Sequence, residues 1–349
     1  MKFVCLILLL FTSSLSVTAQ KRVYYNNDLQ EVPSSSPEKK YYSEYEFMEV
    51  NQDGYYQHSL YDLNGQLAKQ FLTEGSSILS KQFGVFTSYY TNGQIESKGN
   101  FIVGKKAGTW KLFYNNGSLK EVGQYENDIK VGTWKRFYKN GQLQYTYTDS
   151  YTSESQYVKR VYENAWNTSG QQTLSDQTGT IKYYNEKRKC TEEGELKGGK
   201  KEGNWIGIYE NGQKYYEEKY EADSLINGIS WDKNNQKYEY NTLMIEAYPE
   251  IGYRKFDKKF YNKFQAKYLT KNIFNNSYTY AEKLFLVFDI NLDGSITNIH
   301  FLNPQLPSVN NAAKNTLLEL KKWVPAVERG QKVPSTFVLP IELFSSDEY

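Results

Sequence analysis

The chain has 349 residues, room for two or three domains. Its 42 Lys+Arg against 40 Asp+Glu leave a net charge of +2, which argues against a general nucleic-acid binder, since that role needs a basic face to displace counterions. Tyrosine is the outlier at 33 residues, and a mean hydropathy of -0.73 suits thin, exposed layers rather than one large core.

The N-terminus carries Lys2, an apolar run over 3–11 and the small-residue stretch Val17-Thr18-Ala19. That is the pattern of a secretory signal peptide over 1–19, cleaved after Ala19. The apolar run is far shorter than the ~20 residues that span a bilayer. The rival reading is an uncleaved anchor. Beyond the leader only Cys190 remains, so no internal disulfide is available and an inert strand cysteine is expected. Residues 20–40 are polar and read as a linker.

From 41 to 240 a phrase returns every 23–25 residues. It is clearest in the copies starting at Gly108, Gly132 and Gly203, with Trp110, Trp134 and Trp205 two positions on. Each copy closes on Asn-Gly: Asn116-Gly117, Asn140-Gly141 and Asn211-Gly212. Worn copies start at Gly84, Gln156, Gly179 and Gly228, and Val158 and Ile181 replace the Trp in two of them. Gly99, Gly123 and Gly194 precede the full phrases by nine residues, and Lys106, Lys130 and Lys201 by two. Asn-Gly between alternating apolar positions signals hairpins. Trp110, Leu112 and Tyr114 are expected on one strand face. Two or three aromatics, at about 1.5–3 kcal/mol each when buried, cannot order such a unit alone, so neighbours must stack. The expected fold is an antiparallel hairpin meander.

After 245 the texture changes. Phe256, Phe260, Phe264 and Tyr268 recur every fourth residue over 253–271, a helix whose other faces are basic. A strand from Leu284, a turn at 291–294, a return strand, a helix over 312–323 with Leu317, Leu320 and Trp323 on one side, and a last strand over 335–344 complete a small α+β domain over 245–349.

The repeat phrases resemble the bacterial variant of the MORN repeat, with its Gly-x-Trp and Tyr-x-x-Asn-Gly elements. That resemblance implies a β repeat sheet and a role in protein or envelope association. The C-terminal part resembles the C-terminal domain of TonB-type proteins. It does so through Tyr248-Pro249, Asp293-Gly294, Trp323-x-Pro325-Ala326, Gly330-x-x-Val333 and Leu339-Pro340-Ile341. This second resemblance implies a periplasmic module that pairs an extended peptide with an open sheet edge. The candidate edge is Ser335, Thr336, Phe337, Val338 and Leu339. The chain departs from energy-transducing TonB proteins in having a cleavable leader and a β array where those have an anchor and a Pro-rich spacer.

Catalytic chemistry is sparse. His58 and His300 fall in different domains, and no P-loop, Gly-x-Ser-x-Gly or HExxH motif is present. Asp289, Asn291, Asp293 and Gly294 imitate the start of an EF-hand loop, but His300 stands where the twelfth-position Glu belongs. Glu192, Glu193 and Glu195 are a formal acid/base set in what reads as a solvated turn region. The expected function is a non-enzymatic, exported envelope scaffold without cofactor or metal. Its expected partner is an envelope protein such as an outer-membrane transporter, and not nucleic acid. Two alternatives stand beside it: an anchored component of TonB-dependent transport, and a glycan- or peptidoglycan-binding or glycan-acting protein using exposed Tyr and Trp rows.

Overall fold

A computed structural model of the chain describes residues 22–50, 53–151, 158–269, 282–320 and 322–343. The leader expected over 1–19 lies outside them. Among the described residues, nineteen strands form an antiparallel sheet in which, from Tyr41–Val50 on, they run as a meander, the mainly β architecture that the repeat requires. The chain divides into two compact units, Met1–Gly179 and Thr180–Tyr349, and the boundary falls in the worn copy at Gly179.

In the first unit, strand Lys105–Phe113 pairs with Leu119–Glu126, which in turn pairs with Ile129–Phe137. Two kinds of turn alternate along this path. At the Asn-Gly site the Gly117 N–H donates to Tyr114 O at 2.9 Å, and the Tyr114 N–H to Ser118 O at 2.8 Å. Gly117 alone is left-handed, at φ 82°, with Asn116 outside that region. This is a three-residue turn closed by a glycine bulge, not the two-residue Asn-Gly hairpin expected from sequence. The Asn side chain explains it: Asn116 Oδ1 accepts the Ser118 N–H at 3.1 Å, a local bond that stabilises the longer turn. Asn140-Gly141 behaves in the same way. The two-residue turn occurs instead at Asn127-Asp128, where both residues have positive φ, 51° and 71°. Tyr114 lies in the longer turn and does not extend the face of Trp110; its hydroxyl donates to Phe137 O, one repeat on, at 2.8 Å.

Of the stretch 20–40 expected as a linker, the described residues, 22–40, carry strands. Strand Val23–Tyr25 pairs with Glu31–Val32 and with the first array strand, Tyr41–Val50. Tyr25 is buried in one cluster with Leu60, Phe71 and Ile78, which gives its polar surroundings an anchor.

In the second unit the meander continues through Cys190–Lys197, Lys200–Tyr209, Lys214–Glu221, Ser224–Trp231 and Lys237–Tyr240. Helix α1 (Tyr253–Leu269), strands Glu282–Ile290 and Ile296–Phe301, helix α2 (Pro307–Glu319) and strand Ser335–Leu343 follow in the expected order. Phe256, Phe260 and Phe264 of α1 are buried against Leu284, Leu286, Phe288 and Ile341. Helix α2 starts earlier than expected because Pro307 sits in its first turn, where a missing N–H costs nothing. It ends at Glu319, so Trp323 leaves the helix. Trp323 pairs with Pro249, and its ring packs on Phe256, Phe288 and Phe337 at centroid distances of 5.4, 5.2 and 4.8 Å.

Candidate functional site

The repeat-signature residues are structural in a specific sense. Trp110, Trp134 and Trp205 are at most 2% exposed. Each ring lies on the glycine that precedes its phrase by nine residues. A Cβ at Gly99, Gly123 or Gly194 would stand 2.1, 2.1 or 2.2 Å from the ring of Trp110, Trp134 or Trp205. No side chain fits there, which explains the glycine. The lysine two positions before the phrase also lies over the ring. Lys106, Lys130 and Lys201 place Nζ 4.5, 3.9 and 4.1 Å from the centroids of Trp110, Trp134 and Trp205, a cation–π lid. Gly108, Gly132 and Gly203 are left-handed, at 66°, 60° and 61°. Gly212 closes its turn at 84°, with Asn211 Oδ1 accepting the Gln213 N–H. The exposed Trp row on which a glycan-binding surface would rest is therefore not formed by these three rings.

Buried carboxylates form the chemistry that sequence reasoning missed. In the first unit Glu121, 6% exposed, accepts the Tyr147 hydroxyl at 2.6 Å and lies 3.5 Å from Lys130 Nζ. Burial pulls the Lys130 pKa below its ordinary value, and Glu121 offsets part of that fall. In the second unit Glu192 is 2% exposed, not a solvated turn residue. It accepts Tyr183 Oη at 2.7 Å and Asn185 Nδ2 at 2.9 Å, with Arg188 Nη1 at 3.5 Å. Burial pushes its pKa up, but the Tyr183 bond with Lys201, Arg188 and Arg329 outweighs it, and the group stays below its ordinary value. Glu193 points to the other strand face and pairs with Lys182, and Glu195 is exposed, so the three do not form an acid/base set. Cys190 is fully buried, and burial followed by Glu192 pushes its thiol up to about 11.

Glu218 breaks the repeat most informatively. It stands 24 residues after Gly194, where the glycine belongs, and Ser230 stands two after Gly228, where the Trp belongs. Both are buried. The vacated slot holds Arg329, from the two-residue turn Arg329-Gly330, with φ of 50° and 77°, between strands Ala326–Glu328 and Gln331–Val333. Arg329 Nε donates to Glu218 Oε1 at 2.6 Å and Nη2 to Oε2 at 3.4 Å. Its guanidinium lies 4.5 Å from the Tyr216 ring centroid. Tyr220 and Tyr240 donate to the same carboxylate, each at 2.8 Å. Ser230 Oγ donates to Arg329 O at 2.6 Å and receives Gln331 Nε2 at 2.7 Å. Burial opposes the Arg329 charge, but Glu218 holds its pKa above the ordinary value.

The motif residues of the C-terminal part converge on Trp323. Tyr248 pairs with Val324 and Pro249 with Trp323; a Cβ at Gly294 would lie 2.0 Å from Trp323 O. Pro325 leads into Ala326, which pairs with Val333. Asp289 accepts Thr336 Oγ1 at 2.6 Å and Asn298 Nδ2 at 2.7 Å, and Asp293 accepts the Ser295 N–H at 2.9 Å, so the EF-hand-like residues serve a β-turn. Among the described residues, no group of three or more His, Cys, Asp or Glu is placed to hold a metal.

The final strand, Ser335–Leu343, pairs along its whole length with Glu282–Ile290 and stands at the edge of a three-stranded sheet. Its outward groups can be assigned. The Glu342 N–H donates to Tyr261 Oη at 3.2 Å, away from the partner strand. By the alternation of an antiparallel ladder, Thr336, Val338 and Pro340 face outward too. Pro340 has no N–H, and outward is the direction in which a strand proline is tolerated. The outer N–H groups are therefore stopped by Pro340 and taken up at Glu342, which leaves those of Thr336 and Val338. No described strand pairs with that side. Phe337 and Leu339 point into the core, and Val338 is 45% exposed.

The family model described as MORN repeat variant matches residues 84–102, 106–127 and 130–148. These are three successive copies in the first unit, of a repeat type compatible with a scaffold role. The copy at Gly203 lies outside the matched segments. A search of curated proteins returned no match. Among solved structures, the crystal structure of TcdB2-TccC3 aligns at 15% identity over 61% of this chain and 12% of that one, with a TM-score of 0.14. At that score the likeness carries no argument about fold.

Proposed function

We propose that this chain is a non-enzymatic, exported scaffold of the cell envelope whose C-terminal module holds an extended segment of an envelope protein by strand addition. One observation carries the reading. The edge strand offers two consecutive outward backbone positions, Thr336 and Val338, and is closed to further pairing by Pro340 and the Tyr261–Glu342 bond. Backbone pairing there supplies affinity, and the exposed Val338 side chain meets alternate residues of the incoming strand. The TonB-like order of motif residues around Trp323 supports the same mode of binding, and export is proposed from the signal-peptide pattern expected over 1–19. The buried carboxylates Glu121, Glu192 and Glu218 are engaged in internal bonds, which fits a holding rather than a transforming role.

A photo-crosslinking residue at position 338, used in intact cells, tests this. Envelope proteins should be captured, and Thr336→Pro, which removes one of the two donors, should abolish the capture. Recovery of cytoplasmic proteins alone, or capture indifferent to Thr336→Pro, overturns the reading.

A further inference from the structure

Helix α1 concentrates charge. It carries Arg254, Lys255, Lys258, Lys259, Lys263 and Lys267 against a single acid, Asp257. The helix alone is thus +5 where the whole chain is +2, so the remainder is net negative. At about 100° per residue, Arg254, Lys255, Lys258 and Lys259 fall within an arc of about 140°, centred opposite the arc of Phe256, Phe260 and Phe264. The three Phe side chains are buried in the core, and the four cations are exposed. Lys263 pairs with Glu319 at 2.7 Å, whereas the four have no ion pair among the described residues. One exposed apolar group precedes the helix beside them: Ile251 is 37% exposed. Tyr253 faces the other way, its hydroxyl donating to Ala247 O at 2.8 Å and its ring stacked on Phe337.

We propose that this face of α1 docks on the anionic head-group layer of a membrane, with Ile251 entering the interfacial zone. Cations beside an exposed apolar group match such an interface, where charge meets phosphate and the apolar flank leaves water. A nucleic-acid backbone would use the cations and leave Ile251 without a role. The face lies outside the Thr336–Val338 edge and does not depend on what that edge binds. Each cation near an anionic surface adds about a fivefold gain in binding.

Flotation of the full chain with phosphatidylglycerol/phosphatidylcholine vesicles, against phosphatidylcholine alone, tests it. Binding is expected only with the anionic vesicles, and salt should weaken it. The variant Arg254→Gln/Lys255→Gln/Lys258→Gln/Lys259→Gln should bind more weakly by a factor on the order of several hundred, since four fivefold gains are removed. Lys98→Gln/Lys105→Gln/Lys111→Gln/Lys135→Gln removes the same charge from exposed array positions and should bind as the unmodified chain does. Ile251→Ser should weaken binding a few-fold with its salt dependence unchanged. Equal loss in the two quadruple variants, equal binding to neutral vesicles, or binding to duplex DNA without binding to vesicles overturns the proposal.

Discussion

The repeat is legible residue by residue once the Gly–Trp contact is known. Gly123 and Trp134 are one device, since the ring occupies the space a Cβ would need. Gly123→Ala and Trp134→Ala should each destabilise the first unit, the latter by about 3–5 kcal/mol. The pair should fall well short of the sum, because Trp134→Ala removes what Gly123→Ala collides with. Denaturant titration of the four proteins checks this, and strict additivity would refute the coupling. His58 is a second case at this scale. It is fully buried, with Nε2 2.9 Å from Thr73 Oγ1, and burial lowers its pKa. Its unfolded-state value is about 6.5, so below that pH the unfolded chain binds the proton more readily. The stability from a neutral His58 is therefore complete above about 6.5 and lost as pH falls toward the lower folded value. Thermal melts across that window should show a decline that His58→Gln lessens. The spacing of Trp, Gly and Lys could be read without coordinates; that the lysine caps the ring could not, because cation–π contact depends on cross-strand register.

At the scale of elements, the alternating turns explain how a short repeat propagates. The tight turn of one copy bonds back to the strand before it. The Lys106 N–H donates to Asp128 Oδ1 at 2.8 Å, and the Asp128 N–H to Lys106 O at 3.1 Å. Asp223 repeats this with Lys201 in the second unit. Asp128→Ala removes the acceptor and leaves a β-carbon residue at φ 71°, where Asn and Asp are better tolerated. A loss of about 1–2 kcal/mol is expected, with faster amide exchange at Lys106 as the local readout. Asp128→Asn, which keeps the acceptor and tolerates that φ, should cost less. Strand alternation was visible in the sequence, and so was the order of elements after 245. The turn types were not, because Asn-Gly serves both kinds of hairpin and the choice rests on the Asn side-chain bond.

At the scale of the whole molecule, the chain divides into its two compact units after Gly179, inside the array rather than at its end. Within the second unit the last hairpins and the helical part share the Glu218–Arg329 pair, both members at most 3% exposed. Arg329→Ala would leave Glu218 buried without its cation, a loss of about 3–5 kcal/mol. Glu218→Leu/Arg329→Met should cost less than Arg329→Ala, because an apolar pair leaves no charge behind. Chemical denaturation followed by amide exchange should show the strands Lys214–Glu221 and Ser224–Trp231 losing protection together with Ala326–Glu328. Loss confined to the C-terminal strands would show that the pair does not couple them.

The sequence alone determined the beat, the strand alternation and the change of texture after 245, since each is a pattern along one chain. Folding disclosed the replacements at Glu218 and Ser230 and decided what they mean. Glu218 and Arg329 are 111 residues apart in sequence and 2.6 Å apart in space. A buried charge is stable only beside its counter-charge, and no periodicity says which distant residue will supply it. The repeat that orders more than half of the chain is also what makes these polar replacements conspicuous.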